Sequence, residues 1–364
     1  MITTNNISKR IDLNLGYSCN QNCKFCYYQK SKYHANVDLN TDDAKKLLRF
    51  YKKINMETVE FTGGEPTVRK DLIELANYAK NLRFRSISII TNGFLLADGN
   101  YLRKLIEAGI DDFLFSIHGP TPEIHDYLTS LSGSFDKTLQ AIKLALNFNV
   151  KVRTNTTVTG TNYKYLDTLV GLLINLKIKT INLIFFNPIV EADKSAADIW
   201  VNYSSVVSIL NNIVERSQKH HTKLTIRYFP LCLLPGYEQY ITNMPQIQYD
   251  PDEWNYLIRT GVREGTIISS LALALGILLL PGKRKYPFTD WKTTKHEGII
   301  KFLEFKNKTK PSPCKKCSYN LICGGLWKSY NIKMGDKDLA PIPGRRITDP
   351  LHFILKNPAI IKIS

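Results

Sequence analysis

Between Ile11 and Pro188, short runs of β-branched and aromatic residues alternate with longer stretches of helical periodicity, and no other feature limits the fold so tightly. A strand that returns parallel to its neighbour needs a crossover of a dozen or more residues, usually a helix. Six strands are expected, at Ile11 to Gly16, Thr58 to Thr62, Ser86 to Thr91, Asp112 to Ile117, Val150 to Thr157 and Thr180 to Phe186. Helices fit between them at about 41–54, 71–82, 99–109, 134–148 and 163–176, with Thr41 and Asp42 as caps of the first. Right-handed crossovers curl such units into an α/β fold, a partial (β/α)6 TIM-like barrel.

In parallel sheets and barrels, ligand chemistry gathers at the carboxyl ends of the strands, where the loops converge on one mouth. The first strand is followed by Cys19, Cys23 and Cys26, the second by Gly63, Gly64, Glu65 and Pro66, and the third by Asn92 and Gly93. The fourth ends in Ser116 and His118. The spacing Cys19-x3-Cys23-x2-Cys26 puts three thiolates on one short loop, and soft sulfur ligands so spaced favour an iron–sulfur cluster or zinc. Three ligands leave a four-iron cubane one iron short, which suits a centre that binds a substrate at the open iron rather than one that only carries electrons.

The segments LNLGYSCNQNCKFCYY, FTGGEP, TNG and FSIHG, in that order, resemble the radical SAM superfamily (SAM, S-adenosylmethionine) over roughly residues 11–188. The resemblance implies a [4Fe–4S] cluster held by Cys19, Cys23 and Cys26, with SAM chelating the fourth iron. It further implies that Phe25 lies against the adenine, that Gly63 and Gly64 admit close backbone approach, and that Glu65 meets the SAM ammonium. Ser116 and Asn155 occupy strand-end positions that in the family contact the ribose or the methionine carboxylate, with Thr91 or Asn92 nearby; all are also ordinary turn formers. The implied reaction is reductive cleavage of SAM to a 5′-deoxyadenosyl radical, which takes a hydrogen from a substrate and requires a reducing electron donor.

Beyond Pro188 the alternation fades into a helix near 199–218, a short strand at Lys223 to Tyr228, and Cys232, with Cys314-x2-Cys317-x5-Cys323 near the C-terminus. This second set resembles the SPASM and Twitch extensions of radical SAM enzymes. It departs from the seven-cysteine SPASM pattern, and its four thiols imply at most one fully ligated auxiliary [4Fe–4S] cluster; structural zinc is the alternative. The expected division is a core at 1–190 and an auxiliary-cluster and substrate region at 191–364. A peptide or protein substrate is the first reading from that cysteine pattern. The alternatives are a small molecule such as a sugar, nucleotide or cofactor precursor, and RNA; a non-catalytic electron carrier or zinc scaffold is the last reading.

Charge supports no single choice. The chain carries 49 Lys+Arg against 32 Asp+Glu, a net charge of +17, which attracts anions of any kind. Eleven of the basic residues lie between Lys283 and Lys316, against three acidic ones, a stretch that reads as a solvated linker face or an anion-binding surface. An odd count of seven cysteines argues against a complete disulfide framework. The opening residues carry no secretory pattern, so a cytoplasmic location is expected. The apolar run Ile267 to Leu280 is too short to span a bilayer and reads as a buried helix. His118 has two readings, contact with SAM or substrate and a hydrogen-bonded packing histidine. His125 and Asp126 read as caps or braces of a short helix; Tyr17, Tyr27 and Tyr28 have two readings, packing around the cysteine loop and contact with substrate or the electron path, and Arg227, Tyr228 and Tyr237 read as surroundings of Cys232 on the substrate side.

Overall fold

The computed structural model describes residues 8–26, 38–186, 199–247, 249–250, 252–253, 259–261 and 307–356. The apolar run at 267–280, the basic residues 283–306, Tyr27 and Tyr28 lie outside the described residues.

The expected alternation is present. Strands β1 (Arg10–Asn14), β2 (Thr58–Thr62), β3 (Ser86–Thr91), β4 (Asp112–Ser116), β5 (Lys151–Val158) and β6 (Thr180–Phe185) alternate with helices α1 (Thr41–Lys53), α2 (Leu72–Asn81), α3 (Gly99–Glu107), α4 (Pro122–Thr129), α5 (Ser134–Asn147) and α6 (Leu166–Asn175). The cap of α1 differs from the expectation: Asn40, not Thr41 or Asp42, accepts the Asp43 N–H at 2.8 Å. An amide side chain in extended backbone just before the helix satisfies one of its orphan N–H groups.

The sheet does not stop at β6. Helix α7 (Val207–Lys219) leads to β7 (Lys223–Arg227), which pairs parallel with β6, and β8 (Ile241–Thr242) and β9 (Arg259–Gly261) are added at the two edges. The order is β8-β7-β6-β5-β4-β3-β2-β1-β9, all neighbours parallel, curled into a half-barrel. The helix and short strand expected near 199–218 and 223–228 are thus present, and they continue the core sheet by one βα unit. Every second residue of β7 is Lys223, Thr225 or Arg227, so it reads as a solvated strand although all five of its residues are buried.

One face of the sheet carries Ile11, Leu13, Val59, Phe61, Phe113 and Phe115, all buried in a single apolar core with the helices. The other face is polar and still buried. There Arg10 donates to Glu60 at 2.9 Å, to Ser88 at 2.8 Å and to Asp112 at 3.3 Å, while Arg153 donates to Asp112 at 2.7 Å and to Glu60 at 2.9 Å. Lys223 is paired with Asp250 and Asp252, both at 2.9 Å, and Lys151 and Arg227 are paired with Asp252 and Glu253. Arg10 and Asp112 begin their strands, so this ionic layer closes the amino end of the half-barrel and leaves the carboxyl end for ligands. No helix among the described residues is long and apolar enough to cross a membrane.

Candidate functional site

The loop after β1 is built against the loop after β2. Gly64 N–H donates to Gly16 O and Glu65 N–H to Ser18 O, both at 2.8 Å, so the backbone of the GGE segment is a template for the residues leading into Cys19. Two glycines permit the contact. Gly63 adopts φ +134°, and a Cβ there would lie 2.4 Å from Gly16 O; at Gly64 it would lie 2.3 Å from Ser18 O. Only a residue without a side chain lets the two backbones approach so closely. On the far side Asp38 Oδ1 accepts the N–H groups of Tyr17 at 2.8 Å and Ser18 at 3.2 Å. Burial would raise its pKa, but these donors, the Ser18 hydroxyl and Arg69 hold it below the ordinary carboxylate range.

Glu65 is the buried centre of this arrangement. One carboxylate oxygen accepts from Thr67 N at 3.0 Å, Thr67 Oγ1 at 2.6 Å and Thr91 Oγ1 at 2.7 Å, and the other from Asn92 N at 2.6 Å. Among the described residues no cation pairs with it, and burial pushes its pKa up despite the four hydrogen bonds. An anchored carboxylate of this kind, lacking a counter-ion, fits a ligand that brings its own positive charge.

Cys19 is exposed, and Cys23 and Cys26 are half-buried. Burial pushes Cys19 up to about 11, with Glu65 and Cys26 adding to the rise; burial raises Cys23 further still, with Cys26 and Cys19 beside it. Thiols whose ionisation is suppressed by burial and by neighbouring thiols, as at Cys19 and Cys23, become good ligands once a cation replaces their protons. The donor set is soft and lies near an anchored carboxylate, and it fits an iron–sulfur cluster with a cationic co-ligand.

The remaining expected residues fall at the same end of the sheet. Ser116 ends β4 and faces Asn155 on β5 in register. Its hydroxyl has no partner among the described residues, whereas Asn155 Oδ1 accepts from Asn182 at 2.9 Å. Asn92 is more committed to the protein than the sequence indicates: its amide donates to Asn20 Oδ1 at 2.7 Å and accepts from Phe94 N at 3.0 Å, tying the end of β3 to the cysteine loop. Phe25 is half-buried, its ring 4.6 Å from that of His118. Asp38, Asn20 and Thr67 support the site without having been singled out from the sequence. Only an Asp or Asn beside a glycine-rich turn hints at such a role, and many such residues do nothing.

The second set also converges. Cys232, five residues beyond the end of β7, lines one small cavity with Cys314, Cys317 and Cys323. The short antiparallel pair β10 (Lys308–Thr309) and β11 (Leu326–Trp327) closes the loop carrying the last three, and helix α8 (Lys328–Met334) follows. Tyr319 donates to Glu238 at 2.8 Å and Gln246 to Ile322 O at 2.9 Å, clamping this loop to the segment that holds Cys232. Gly325 N–H and Ile342 N–H point at Cys323 Sγ and Cys317 Sγ, each at 3.4 Å. Burial pushes Cys232 up to about 12 and Cys314 up to about 11, with their neighbouring thiols adding to both shifts. No three His, Cys, Asp or Glu side chains among the described residues converge on a single-ion position; the thiols ring a space instead.

The comparisons with known proteins agree with this geometry. The radical SAM superfamily description matches residues 13–173. An AdoMet-dependent heme synthase from Oleidesulfovibrio alaskensis is 31% identical over 334 residues, covering 90% of this chain and 84% of that protein. The chain belongs to the radical SAM superfamily. A probable GTP 3′,8-cyclase from Saccharolobus islandicus is 33% identical over 178 residues, 49% of this chain; the match spans about half the length of that relative, 56%. Among solved structures, Streptococcus suis SuiB bound to S-adenosylmethionine superposes with a TM-score of 0.57 at 16% identity, covering 93% of this chain and 77% of that one. Such a likeness shows the shared half-barrel fold. As a radical SAM protein the chain is an enzyme that uses SAM and a [4Fe–4S] cluster.

Proposed function

We propose that this enzyme is a radical SAM oxidoreductase of a small molecule, with Cys19, Cys23 and Cys26 holding the SAM-binding cluster and Cys232, Cys314, Cys317 and Cys323 holding one auxiliary [4Fe–4S] cluster. When bound and reduced, the first cluster supplies the electron that splits SAM and so yields the hydrogen-abstracting 5′-deoxyadenosyl group. The protein's own residues do the positioning. Glu65 receives the SAM ammonium, the Gly63–Gly64 backbone admits the methionine end, and Ser116 and Asn155 offer hydrogen bonds to the ribose or carboxylate.

The observation that carries this reading is that the first thiol set follows the carboxyl end of β1, and that Cys232, following the carboxyl end of β7 in the same parallel sheet, shares a cavity with Cys314, Cys317 and Cys323, above a lumen closed at its amino end by the Arg10–Glu60–Asp112–Arg153 layer. The small-molecule reading ranks above the peptide reading because the heme synthase, matched along 90% of this chain, carries a small-molecule name. The division at about residue 190 is functional in this reading, since β7 to β9 belong to the same sheet as the core. A cluster is preferred to zinc at the second set because of the likeness of its cysteine pattern to the SPASM and Twitch extensions; four thiols lining one cavity offer the donors for it.

Anaerobic reconstitution with iron and sulfide, followed by dithionite, SAM and fractionated cell extract, tests the substrate class. A low-molecular-mass filtrate is expected to raise 5′-deoxyadenosine output and to keep that effect after protease digestion. Stimulation found only in the macromolecular fraction, and abolished by protease, would replace this reading with a peptide or protein substrate. For the second site, Cys314→Ala/Cys317→Ala is expected to lose about four of about eight irons per chain, as one cubane of two requires. Unchanged iron with the loss of one bound zinc would sink the auxiliary-cluster assignment.

A further inference from the structure

We propose that His118 reads the purine of SAM, donating a hydrogen bond from Nε2 to a ring nitrogen of the adenine. The inference rests on the SAM-binding reading of the β1 loop and adds a residue that the cysteine and glycine motifs do not contain.

The imidazole is pinned on every side but one. The His118 backbone N–H donates to His125 Nδ1 at 3.0 Å, its carbonyl accepts from Asn162 at 2.8 Å, and its own Nδ1 accepts the Thr157 N–H at 3.2 Å. A ring whose Nδ1 lone pair is taken by a backbone donor carries its proton on Nε2. Burial, with His125 stacked 5.7 Å away, holds the ring neutral by lowering its pKa well below the ordinary value. His118 is 5% exposed, yet Nε2 has no protein partner among the described residues. An N–H with a fixed direction and no protein acceptor is available to a ligand that brings an acceptor of its own.

Its surroundings select the ligand. The His118 ring meets Phe25 edge-on, with centroids 4.6 Å apart, and Phe25 directly precedes Cys26 on the cysteine loop. Phe25, Ile124 and Phe186, each half-buried, pack around buried Leu128 and Ile199, making an apolar wall beside that loop. Of the parts of SAM, only the adenine combines a flat apolar face with in-plane ring nitrogens that accept hydrogen bonds. An apolar wall with one fixed donor at its edge matches that combination. The ammonium, carboxylate and sulfonium would find neither charge nor a second donor there.

The test is binding rather than turnover. The reconstituted full-length enzyme is titrated with SAM and with analogues in which one adenine ring nitrogen at a time is replaced by C–H, for the wild type, His118→Phe and His118→Gln. Wild type is expected to bind one of the analogues about five- to tenfold more weakly than SAM, the worth of one hydrogen bond in a dry site. His118→Phe should bind SAM itself weaker by a similar factor and be indifferent to that replacement, and His118→Gln, which keeps an N–H donor, should recover part of the discrimination. Equal binding of all analogues by wild type overturns the proposal, as does unchanged discrimination in His118→Phe. Should His118→Phe fail to fold, by iron content and circular dichroism, the wild-type series and His118→Gln decide it. A wild type that binds iron but no SAM at all would strike the cofactor reading first and this proposal with it.

Discussion

Replacing Cys19, Cys23 and Cys26 together by Ala is expected to bring 5′-deoxyadenosine formation down to the no-enzyme background while leaving the protein folded. The loss should be complete because nothing else at the carboxyl ends of β1 to β4 among the described residues offers soft ligands, and without the metal no electron reaches SAM. Survival of the fold is expected because these side chains support little of it. Cys19 is exposed, and the one hydrogen bond given to Cys23 Sγ is a 3.5 Å contact to Gln21 Oε1. The loop is positioned instead by backbone bonds from Gly64 and Glu65 and by Asp38, none of which involves a thiol. The measurement is product yield by chromatography, set beside the iron content and the thermal midpoint of the same preparation. A triple variant with wild-type 5′-deoxyadenosine would remove the first cysteine set from the chemistry. A variant that loses the irons of both sites would mean that the two sets do not load independently.

Much of this was legible in the sequence, for reasons that also explain the remainder. Strands β2, β3 and the start of β4 are where the pattern puts them, because TVEFT, SISIIT and DFLF are short β-branched or aromatic runs between helical stretches. The cysteine, glycine and Ser116 positions followed from the rule that chemistry collects at strand carboxyl ends. Strands β8 and β9, of two and three residues, are too short to show any period; they exist because a neighbouring strand offers free backbone groups. Asn40 capped α1 although Thr41 and Asp42 were equally good by residue type, and only the backbone path decided among them. Asp38 was missed because its partners are some twenty residues away. The ionic layer was invisible for a different reason. A charge at every second position of a strand ordinarily marks a solvated face, and only tertiary structure reveals that Arg10, Glu60, Asp112 and Arg153 answer one another.

That layer carries the second large effect: Arg153→Ala is expected to destabilise the fold by about 3–5 kcal/mol. The guanidinium is fully buried and bonded to Asp112 and Glu60, so its removal leaves two carboxylates short of a partner in a site that water does not reach. Arg10 continues to touch both, and Lys151 lies 3.6 Å from Asp112, so the damage stays below full exposure of two bare charges. The same physics fixes a pH dependence. Burial alone would raise the pKa of Asp112, but Arg153 and then Lys151 outweigh it and hold the folded-state value below the ordinary one; Asp252 is lowered in the same sense, chiefly by Lys223 once burial is overcome. A carboxylate with a depressed folded pKa contributes stability that is fully present above its unfolded value, about 3.9, and is lost as the pH falls through the folded value. Wild-type stability should therefore hold down to about pH 4 and fall away below it. In Arg153→Ala the folded pKa of Asp112 rises toward or past its unfolded value, so Asp112 no longer gives up stability on acidification: the variant should be less stable than wild type at neutral pH, with a shallower acid limb and a deficit that narrows below about pH 4. Urea melts across that range, read by circular dichroism, measure both effects. A loss below about 1 kcal/mol, the size typical of an exposed pair, with an unmoved acid limb, would mean that the layer does not hold the amino end of the half-barrel together. A further variant, Arg153→Met with Asp112→Leu, separates charge from packing. If uncompensated charge is the cause, removing a carboxylate along with the guanidinium should restore part of the stability, although each substitution alone is harmful.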